Sequence, residues 1–347
     1  MPRVERHIEI VSDESGSEGE NLYEASSRVF THASVNIDTE AAAMMMSDLQ
    51  RRAHAKSVEF KSKQLLRPTN QDLIRLLLDS NGPLAGHANV HLTDKQYFLT
   101  GKMIDLLVEE YVHSKGGNLY RDGSARRMAW TLFREGPRAL GNERWELLLS
   151  TFNSMTRIKQ SNGQKASVQD FYNVVDEVRL TSKRRKVEEI LDLVWKSRSQ
   201  AEDFQRQLED EEFIIPNLDP VVPGAVQTAR TWHERTNRPI QLVHDQQSVF
   251  TPTRVQAIIS QVNRVDSSLG IRLEALPLVG ISQVDSTNDP RVQVADLLAG
   301  IGRTVALAAL ARKPHPSASL LRPFVDSFSI WGDETTWLEL TGHRLGE

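Results

Sequence analysis

Apolar and polar residues alternate in several short stretches of the chain, with the period that a half-buried strand requires. The first stretch, residues 6–12, runs directly into Asp13-Glu14-Ser15-Gly16, which predicts a strand that ends in a turn. The further predicted strands cover residues 21–30, 57–62, 88–93, 239–244 and 273–279. Apolar residues recur at helical spacing in residues 38–56, 69–80, 99–113, 225–236, 253–264 and 292–311. Strands that alternate with helices predict an α/β fold with a mixed sheet.

The middle of the chain differs because its apolar spacing is helical throughout. Its predicted helices cover residues 130–135, 145–152, 168–178 and 182–212. We interpret residues 116–223 as a large helical insertion or subdomain, which divides the α/β core into residues 1–115 and residues 224–312. Residues 313–347 then form a C-terminal extension.

Composition is that of an ordinary soluble globular protein, and it excludes several kinds of chemistry. The 347 residues include no cysteine, so disulfides, thiolate nucleophiles and cysteine-based zinc sites are excluded. A formal net charge of −4 gives no overall attraction to phosphate, so nucleic acid would bind through local basic clusters such as residues 183–186. The longest apolar run, residues 292–311, contains Asp296 and Arg303, which predicts a core helix. We therefore expect a cytoplasmic protein with no membrane partner.

The helix predicted for residues 292–311 carries an acid on its polar face. Steps of three, four and three residues bring four positions to that face: Gln293, Asp296, Gly300 and Arg303. A carboxylate beside buried surface needs a cation, and a metal ion at Asp296, with room left by Gly300, would supply one. A solvated Asp296, or its ion pair with Arg303, is the alternative and for a single acid the more frequent case.

Acids also follow three of the predicted strands, namely Asp13, Asp94 and Asp245. The carboxyl ends of strands are where α/β sheets bind their ligands. Carboxylates from separate elements are the ligands that Mg²⁺ requires, and two such ions can assist phosphodiester cleavage. Because any one of these acids is more often a turn former, the metal-site hypothesis depends on their common position.

Four further positions each have more than one interpretation. Glu59 and Lys61 point to one face of an extended chain, as a metal ligand and a phosphate-binding ammonium would, but such pairs are also common on surfaces. Lys95 is more typical of a solvated turn lysine than of a phosphate contact. His244 is a ligand, a proton carrier or, more often, a structural residue.

These motifs resemble, in their order, the family called domain of unknown function 3800, which looks like a branch of the ribonuclease H-like superfamily. The resemblance covers residues 5–110 and 225–312 and leaves out the helical middle. The motifs that carry it are Asp13-Glu14-Ser15-Gly16, Glu59-Phe60-Lys61, Asp94-Lys95, Asp245, Asp285-Ser286 and Gln293-Val294-Ala295-Asp296-Leu297-Leu298-Ala299-Gly300. It implies a mixed five-stranded sheet with helices on both faces.

The same resemblance implies Mg²⁺ or Mn²⁺ as the cofactor and assigns roles to individual residues. The implied metal ligands are Asp13, Glu14, Asp245, Asp296 and Glu59. The implied catalytic residues are Asp13, Asp245, Asp296 and Lys61. The implied supporting residues are Gln293, Ser286, Asp285 and Lys95.

Three functions are compatible with this reading of the sequence. The first is a metal-dependent nuclease in which metal-activated water cleaves phosphodiester bonds of DNA or RNA. The second is a non-catalytic ribonuclease H-like module that binds nucleic acid or protein, and the third is a phosphatase or phosphotransfer enzyme. We expect nucleic acid as the partner, with the helical insertion as the surface for the substrate or for a protein partner.

Overall fold

The computed structural model describes residues 7–55, 60–158, 165–209, 215–263 and 276–345. The strands are β1 (Ile8–Ser15), β2 (Val29–Val35), β3 (Ala88–Asp94), β4 (Ile240–Asp245) and β5 (Leu278–Val284). The first five α-helices are α1 (Thr39–Arg52), α2 (Ser62–Leu65), α3 (Gln71–Leu77), α4 (Lys95–Met103) and α5 (Glu110–Ser114). Those of the middle are α6 (Ser124–Leu140), α7 (Asn142–Thr156), α8 (Val168–Thr181), α9 (Arg185–Lys196) and α10 (Arg198–Glu209). The last are α11 (Val221–Thr236), α12 (Pro252–Val262), α13 (Pro290–Leu310), α14 (Ala318–Leu321) and α15 (Glu334–Thr341).

Three short helical segments of other types complete the described structure. A π-helix, Ile104–Glu109, joins α4 to α5. Two 3₁₀ helices, Pro68–Asn70 and Arg322–Phe324, precede α3 and follow α14.

The five strands form one mixed sheet in the order β3-β2-β1-β4-β5. β2 pairs antiparallel with both β1 and β3, whereas β4 pairs parallel with β1 and β5. β1, β3, β4 and β5 therefore all end at the same edge of the sheet. The predicted α/β class with a mixed sheet is confirmed.

Helices cover both faces of this sheet. On one face, Val11 and Val243 belong to a hydrophobic cluster with α13 residues such as Leu298. On the other face, Ile10 and Leu242 pack with Trp232 of α11 and with residues of α12. Because both faces are covered, all seven residues of β2 are buried, and the strand shows little of the apolar alternation that predicts strands.

Close packing of α13 on the sheet depends on Gly302. A Cβ atom at this position would lie 2.8 Å from Cγ1 of Val90 and 3.0 Å from Cγ2 of Thr31. Such distances are too short for carbon atoms, so only glycine lets the helix axis come this near to β2 and β3. α13 consequently runs across the strands as a core helix.

By length and composition, α13 is the one described helix that could cross a membrane. Of its most apolar window, 67% is buried inside the protein. Core helices pass the same test, and α13 packs against β1 and β2.

The helices between β3 and α11 form a hydrophobic cluster of their own. It extends from Leu99 and Leu107 to Phe152, Phe171 and Leu191. The structure thus has a helical part beside the sheet, which includes α4 and the π-helix. The domain boundaries proposed from the sequence stay a prediction.

The predicted strand at residues 21–30 is wrong for most of its length. β2 begins only at Val29, and the backbone N–H groups of Leu22 and Tyr23 donate to Oδ1 of Asn153, at 3.1 Å each. Asn153 also donates to the carbonyl oxygen of Glu20, at 2.9 Å. Hydrogen bonds to a side chain of α7 therefore replace strand pairing in the β1–β2 connection.

Two other predicted strands lie partly outside the described residues. Of residues 57–62, only 60–62 are described, and there Lys61 is the N-cap of α2. Of residues 273–279, only 276–279 are described, and β5 begins at Leu278 and continues to Val284.

We predict that Gly302→Ala destabilises the protein by about 1–3 kcal/mol, because the added methyl group overpacks the contact with Val90 and Thr31. Gly101→Ala is the matched control, since Gly101 lies in α4 with no atom within 4 Å of its would-be Cβ. This control should stabilise the protein by about 0.5–1 kcal/mol. Urea denaturation followed by circular dichroism measures both changes. Equal stability of the two variants would contradict the close approach of α13.

Candidate metal centre

The strand register places Asp13 and Asp245 side by side. Ser12 of β1 is the Cα partner of His244 of β4, and Asp13 and Asp245 are the next residues of the two parallel strands. Side chains alternate between the two faces, so these acids share a face with the residues two positions before them, which pack under α13. Both carboxylates therefore lie near the carboxyl ends of their strands, on the α13 side.

Asp296 of α13 and Glu14 of β1 complete a group of four acids. Asp13 is 6% exposed. Burial, foremost, and then the charges of Glu14, Asp296 and Asp245 raise the pKa of Asp13 well above its ordinary value. Carboxylates that are far apart in the chain thus lie within electrostatic range of one another.

Backbone and amide groups hold two of these acids in place. The backbone N–H of Ser62 donates to Oδ2 of Asp296, at 3.4 Å. The backbone N–H of Ser286 donates to Oδ1 of Asp245, at 3.2 Å, and Gln293 donates to the carbonyl oxygen of Ser286, at 2.8 Å. Ser286 therefore orients Asp245 directly, and Gln293 does so by holding Ser286 in place.

Gly300 does not leave room for a ligand, contrary to the interpretation made from the sequence. A Cβ atom on Gly300 would lie 2.2 Å from Cβ of Ser62. The space above the glycine is filled by α2, because an approach this close needs a residue without a side chain. The consequence for the site is that α2 carries Lys61 and Ser62 to the side of Asp296.

Glu14 points to the opposite face of the sheet, where it meets His244. Oε2 of Glu14 lies 3.6 Å from Nε2 of His244. Gln247 donates to Oε1 of Glu14, at 2.5 Å. Burial raises the pKa of Glu14 to about 7. The ligand atoms of Asp13, Glu14 and His244 all lie within 4.8 Å of one another, a spacing that suits a shared metal ion.

Hydrogen bonds determine the tautomer of His244. Its Nδ1 lies 2.9 Å from the carbonyl oxygen of Asp245, which only accepts, so Nδ1 carries the hydrogen. Burial lowers the pKa of His244 to about 4, so the ring is neutral and Nε2 has a lone pair. Nε2 of His32 lies 3.1 Å from Nε2 of His244, and Nδ1 of His32 lies 2.8 Å from the hydroxyl oxygen of Thr228.

The lone pair of His244 therefore accepts from His32, which in turn accepts from Thr228. Burial, with smaller contributions from the charges of His244 and His91, lowers the pKa of His32 well below its ordinary value. This buried chain of neutral groups favours a structural role for His244. An ion that bound His244 would have to displace His32.

Lys61 and Asp285 lie at the rim of the centre. Both are exposed. The hydroxyl and backbone N–H of Thr287, and more weakly the charge of Lys61, lower the pKa of Asp285. Glu59, which the resemblance implies as a ligand, lies outside the described residues.

The third strand-end acid, Asp94, does not join the others. Its side chain is fully buried and forms a two-point ion pair with Arg28, at 3.0 and 2.7 Å. Asp94 also caps α4 through the backbone N–H of Gln96, at 3.1 Å. A paired and capping carboxylate has a structural role.

The prediction that Lys95 is a solvated turn lysine is wrong. Lys95 is the first residue of α4, and it is 0% exposed. Its backbone N–H donates to the carbonyl oxygen of Arg28, at 3.0 Å, so α4 begins against the β1–β2 connection and not in solvent.

Two contributors to the centre could not be found from the sequence. Ser62 acts through its backbone N–H, which carries no residue-type signal. His32 lies in β2, where every residue is buried and no pattern separates a functional histidine from a core one.

Comparisons with known proteins give no relative. No family model matches this chain, and neither a curated protein nor a solved structure matches it significantly. The family resemblance seen in the motifs therefore stays a prediction.

We predict that Mn²⁺ binds more tightly as the pH rises from 6 to 8, by about tenfold or more, since the ion must displace protons from Asp13 and Glu14, whose pKa values are raised. Isothermal titration calorimetry in buffers of different ionisation enthalpy gives both the affinity and the number of protons released. Glu14→Gln should reduce that number at pH 7. An affinity that does not change with pH would show that the ion binds elsewhere.

Proposed function

We propose that this protein is a divalent-metal-dependent nuclease of ribonuclease H-like type, which cleaves phosphodiester bonds of DNA or RNA. The observation that carries the proposal is the convergence of Asp13, Asp245 and Asp296 at one edge of the sheet, where burial and then the charges of the other acids raise the pKa of Asp13. The five-stranded mixed sheet with helices on both faces supports it, because this is the architecture that the resemblance implies.

The chemistry of the donor set fits Mg²⁺ or Mn²⁺. Carboxylate oxygens are hard ligands, which these two ions prefer. Buried carboxylates that repel one another are stabilised by a cation, and Asp13 forms no ion pair with lysine or arginine within the described part of the chain. When bound, such an ion supplies Lewis-acid activation of water and stabilises charge on phosphate.

The chain's own residues have separate tasks in this proposal. Asp13, Asp245 and Asp296 hold the ion or ions, and Glu14 is a further ligand or a proton acceptor beside them. Ser286 and Gln293 keep Asp245 in its orientation.

The charge of Lys61 offsets that of the phosphate. Lys61 is exposed at the rim, and Asp285 lies within range of its charge. An exposed ammonium in this place can contact the phosphate without a cost of burial.

The helical part serves as a substrate clamp or as the surface for a protein partner. Asn153 of α7 binds the backbone on both sides of Asn21, in the connection that follows the acidic turn of β1. Helices that hold this connection lie next to the centre, so nucleic acid at the centre can reach them.

Two other functions make different predictions for the same acids. A non-catalytic binding module predicts each acid paired with a cationic side chain, as Asp94 is with Arg28; Asp13 does not follow that pattern. A phosphatase would use the same acids on a small phosphate monoester, so p-nitrophenyl phosphate belongs among the test substrates.

We predict that Mn²⁺ or Mg²⁺ supports cleavage of single- or double-stranded DNA or RNA, and that Asp13→Asn and Asp296→Asn each reduce the rate by about 100-fold or more. Loss of a supporting residue in metal sites typically costs about 10–100-fold, so loss of a ligand should exceed that range. Gel electrophoresis of labelled oligonucleotides measures the rate.

Asp105→Asn is the matched control. Asp105 is another acid with a pKa raised by burial, but it bonds to the hydroxyl of Tyr120, at 3.0 Å, away from the centre. The cleavage rate of the Asp105→Asn variant should stay near that of the unchanged protein. Cleavage that survives both substitutions at the centre would refute the proposal.

A further inference from the structure

Lys95 is a cation that the fold buries. It is 0% exposed, and its Nζ has no hydrogen-bond partner among the described residues. Burial lowers its pKa to about 8; the negative charges of Glu18 and Asp219 oppose this shift, and the positive charge of Arg303 adds to it. An ammonium group in such surroundings costs free energy that the fold does not recover by itself.

The two acids within range of Lys95 are engaged by other donors. Glu18 accepts from the backbone and the hydroxyl of Ser26, at 2.7 and 2.6 Å. Asp219 accepts from the backbone N–H of Val221, at 3.0 Å. Neither acid bonds to Nζ of Lys95, so its charge is not neutralised by contact.

A second cation, Arg303 of α13, lies within electrostatic range of Lys95. Its Nε is buried and has no hydrogen-bond partner in the described structure. The side chain passes the turn after β1, where a Cβ atom on Gly16 would lie 2.9 Å from Cδ of Arg303. Gly16 has φ +83°, so this turn needs glycine for its conformation and also for the passage of Arg303.

This pair of cations borders the acidic centre. Arg303 lies seven residues after Asp296 on α13, which is two turns or about 10 Å along the helix axis. Asp219 lies within electrostatic range of both Glu14 and Lys95. Gly16, beside Arg303, follows Asp13 by three residues.

We propose that Lys95 and Arg303 form a subsite for a phosphate group of the nucleic-acid strand, next to the phosphate that is cleaved. The inference rests on the proposed function, which supplies a phosphodiester at the neighbouring acids. Two cations within electrostatic range of each other, each with a buried donor that lacks a partner among the described residues, are complementary to the oxygens of a phosphate. The acids then bind the metal and the reacting phosphate, while the cation pair fixes the position of the strand.

Arg303 is the movable member of the pair. It is only partly buried, whereas Nζ of Lys95 is closed off from solvent. A phosphate oxygen reaches Lys95 when the Arg303 side chain swings outward, and the guanidinium then closes on the same phosphate. Lys95, on the first turn of a helix, keeps a defined position.

The test compares Lys95→Met and Arg303→Gln with Lys102→Met. Lys102 lies on the same helix α4, and its ammonium group lies over the ring of Phe98, 5.5 Å from the centroid. The Lys102 control therefore removes the same charge outside the subsite. Two probes are used without metal and in EDTA: inorganic phosphate, followed by thermal unfolding, and a fluorescent twelve-residue oligothymidylate, followed by anisotropy.

We expect phosphate to raise the melting temperature of the unchanged protein and of Lys102→Met, but not of Lys95→Met. Without phosphate, Lys95→Met should melt at a higher temperature than the unchanged protein, because an apolar chain of similar shape replaces an unpaired buried charge. Lys95→Met and Arg303→Gln should each bind the oligonucleotide about tenfold more weakly. A structural lysine would give the opposite result, a lower melting temperature with unchanged binding.

The proposal is overturned if Lys95→Met retains the phosphate effect and the oligonucleotide affinity, or if phosphate leaves the unchanged protein unaffected. These outcomes are separate from failure of the nuclease proposal. If the unchanged protein cleaves nothing but loses oligonucleotide affinity on Lys95→Met, the subsite stands and the chemistry fails. If it cleaves, and Lys95→Met binds as tightly as before, the chemistry stands and the subsite fails.

Discussion

Repulsion among buried carboxylates is the constraint around which this protein is organised. Burial raises the pKa of Asp13, and the charges of Glu14, Asp296 and Asp245 raise it further. Only close packing can hold like charges together, and here the glycines of α13 allow it. Gly302 brings the helix onto the sheet, and Gly300 admits α2 beside Asp296. The free energy of core packing therefore offsets the repulsion among these carboxylates, and a bound cation would relieve that repulsion.

The end of β1 divides this acidic group between the two faces of the sheet. Asp13 lies on the α13 side, with Asp245 and Asp296. Glu14 lies on the α11 side, against His244, and a buried chain of neutral groups runs from there through His32 into the core. Adjacent residues of one strand thus have different environments, and in the proposed function Asp13 ligates the ion while Glu14 can hold a proton.

Cations near the strand ends fall into two kinds. Arg28 neutralises Asp94 by two hydrogen bonds, and the pair fastens the start of α4. Lys95 directly follows Asp94 in the chain. Its buried ammonium group has no hydrogen-bond partner within the described part of the structure. In the proposed subsite, an incoming phosphate would recover the cost of burying Lys95, whereas the charge of Arg28 is already neutralised by Asp94.

Much of the architecture could be predicted from the sequence, since the alternation of apolar and polar residues and the helical spacing of apolar residues are local properties. They predicted the α/β class, the strands that end at Asp94 and Asp245, and the apolar helix with one polar face, whereas β1 runs two residues beyond Asp13 to Ser15. Which acids meet was decided by tertiary structure. Asp13 and Asp94 both lie near the carboxyl ends of their strands, but Arg28, 66 residues from Asp94 in the chain, takes Asp94 out of the group. The burial of Lys95 and the filling of the space at Gly300 by Ser62 likewise depend on contacts between distant segments, which no local pattern encodes.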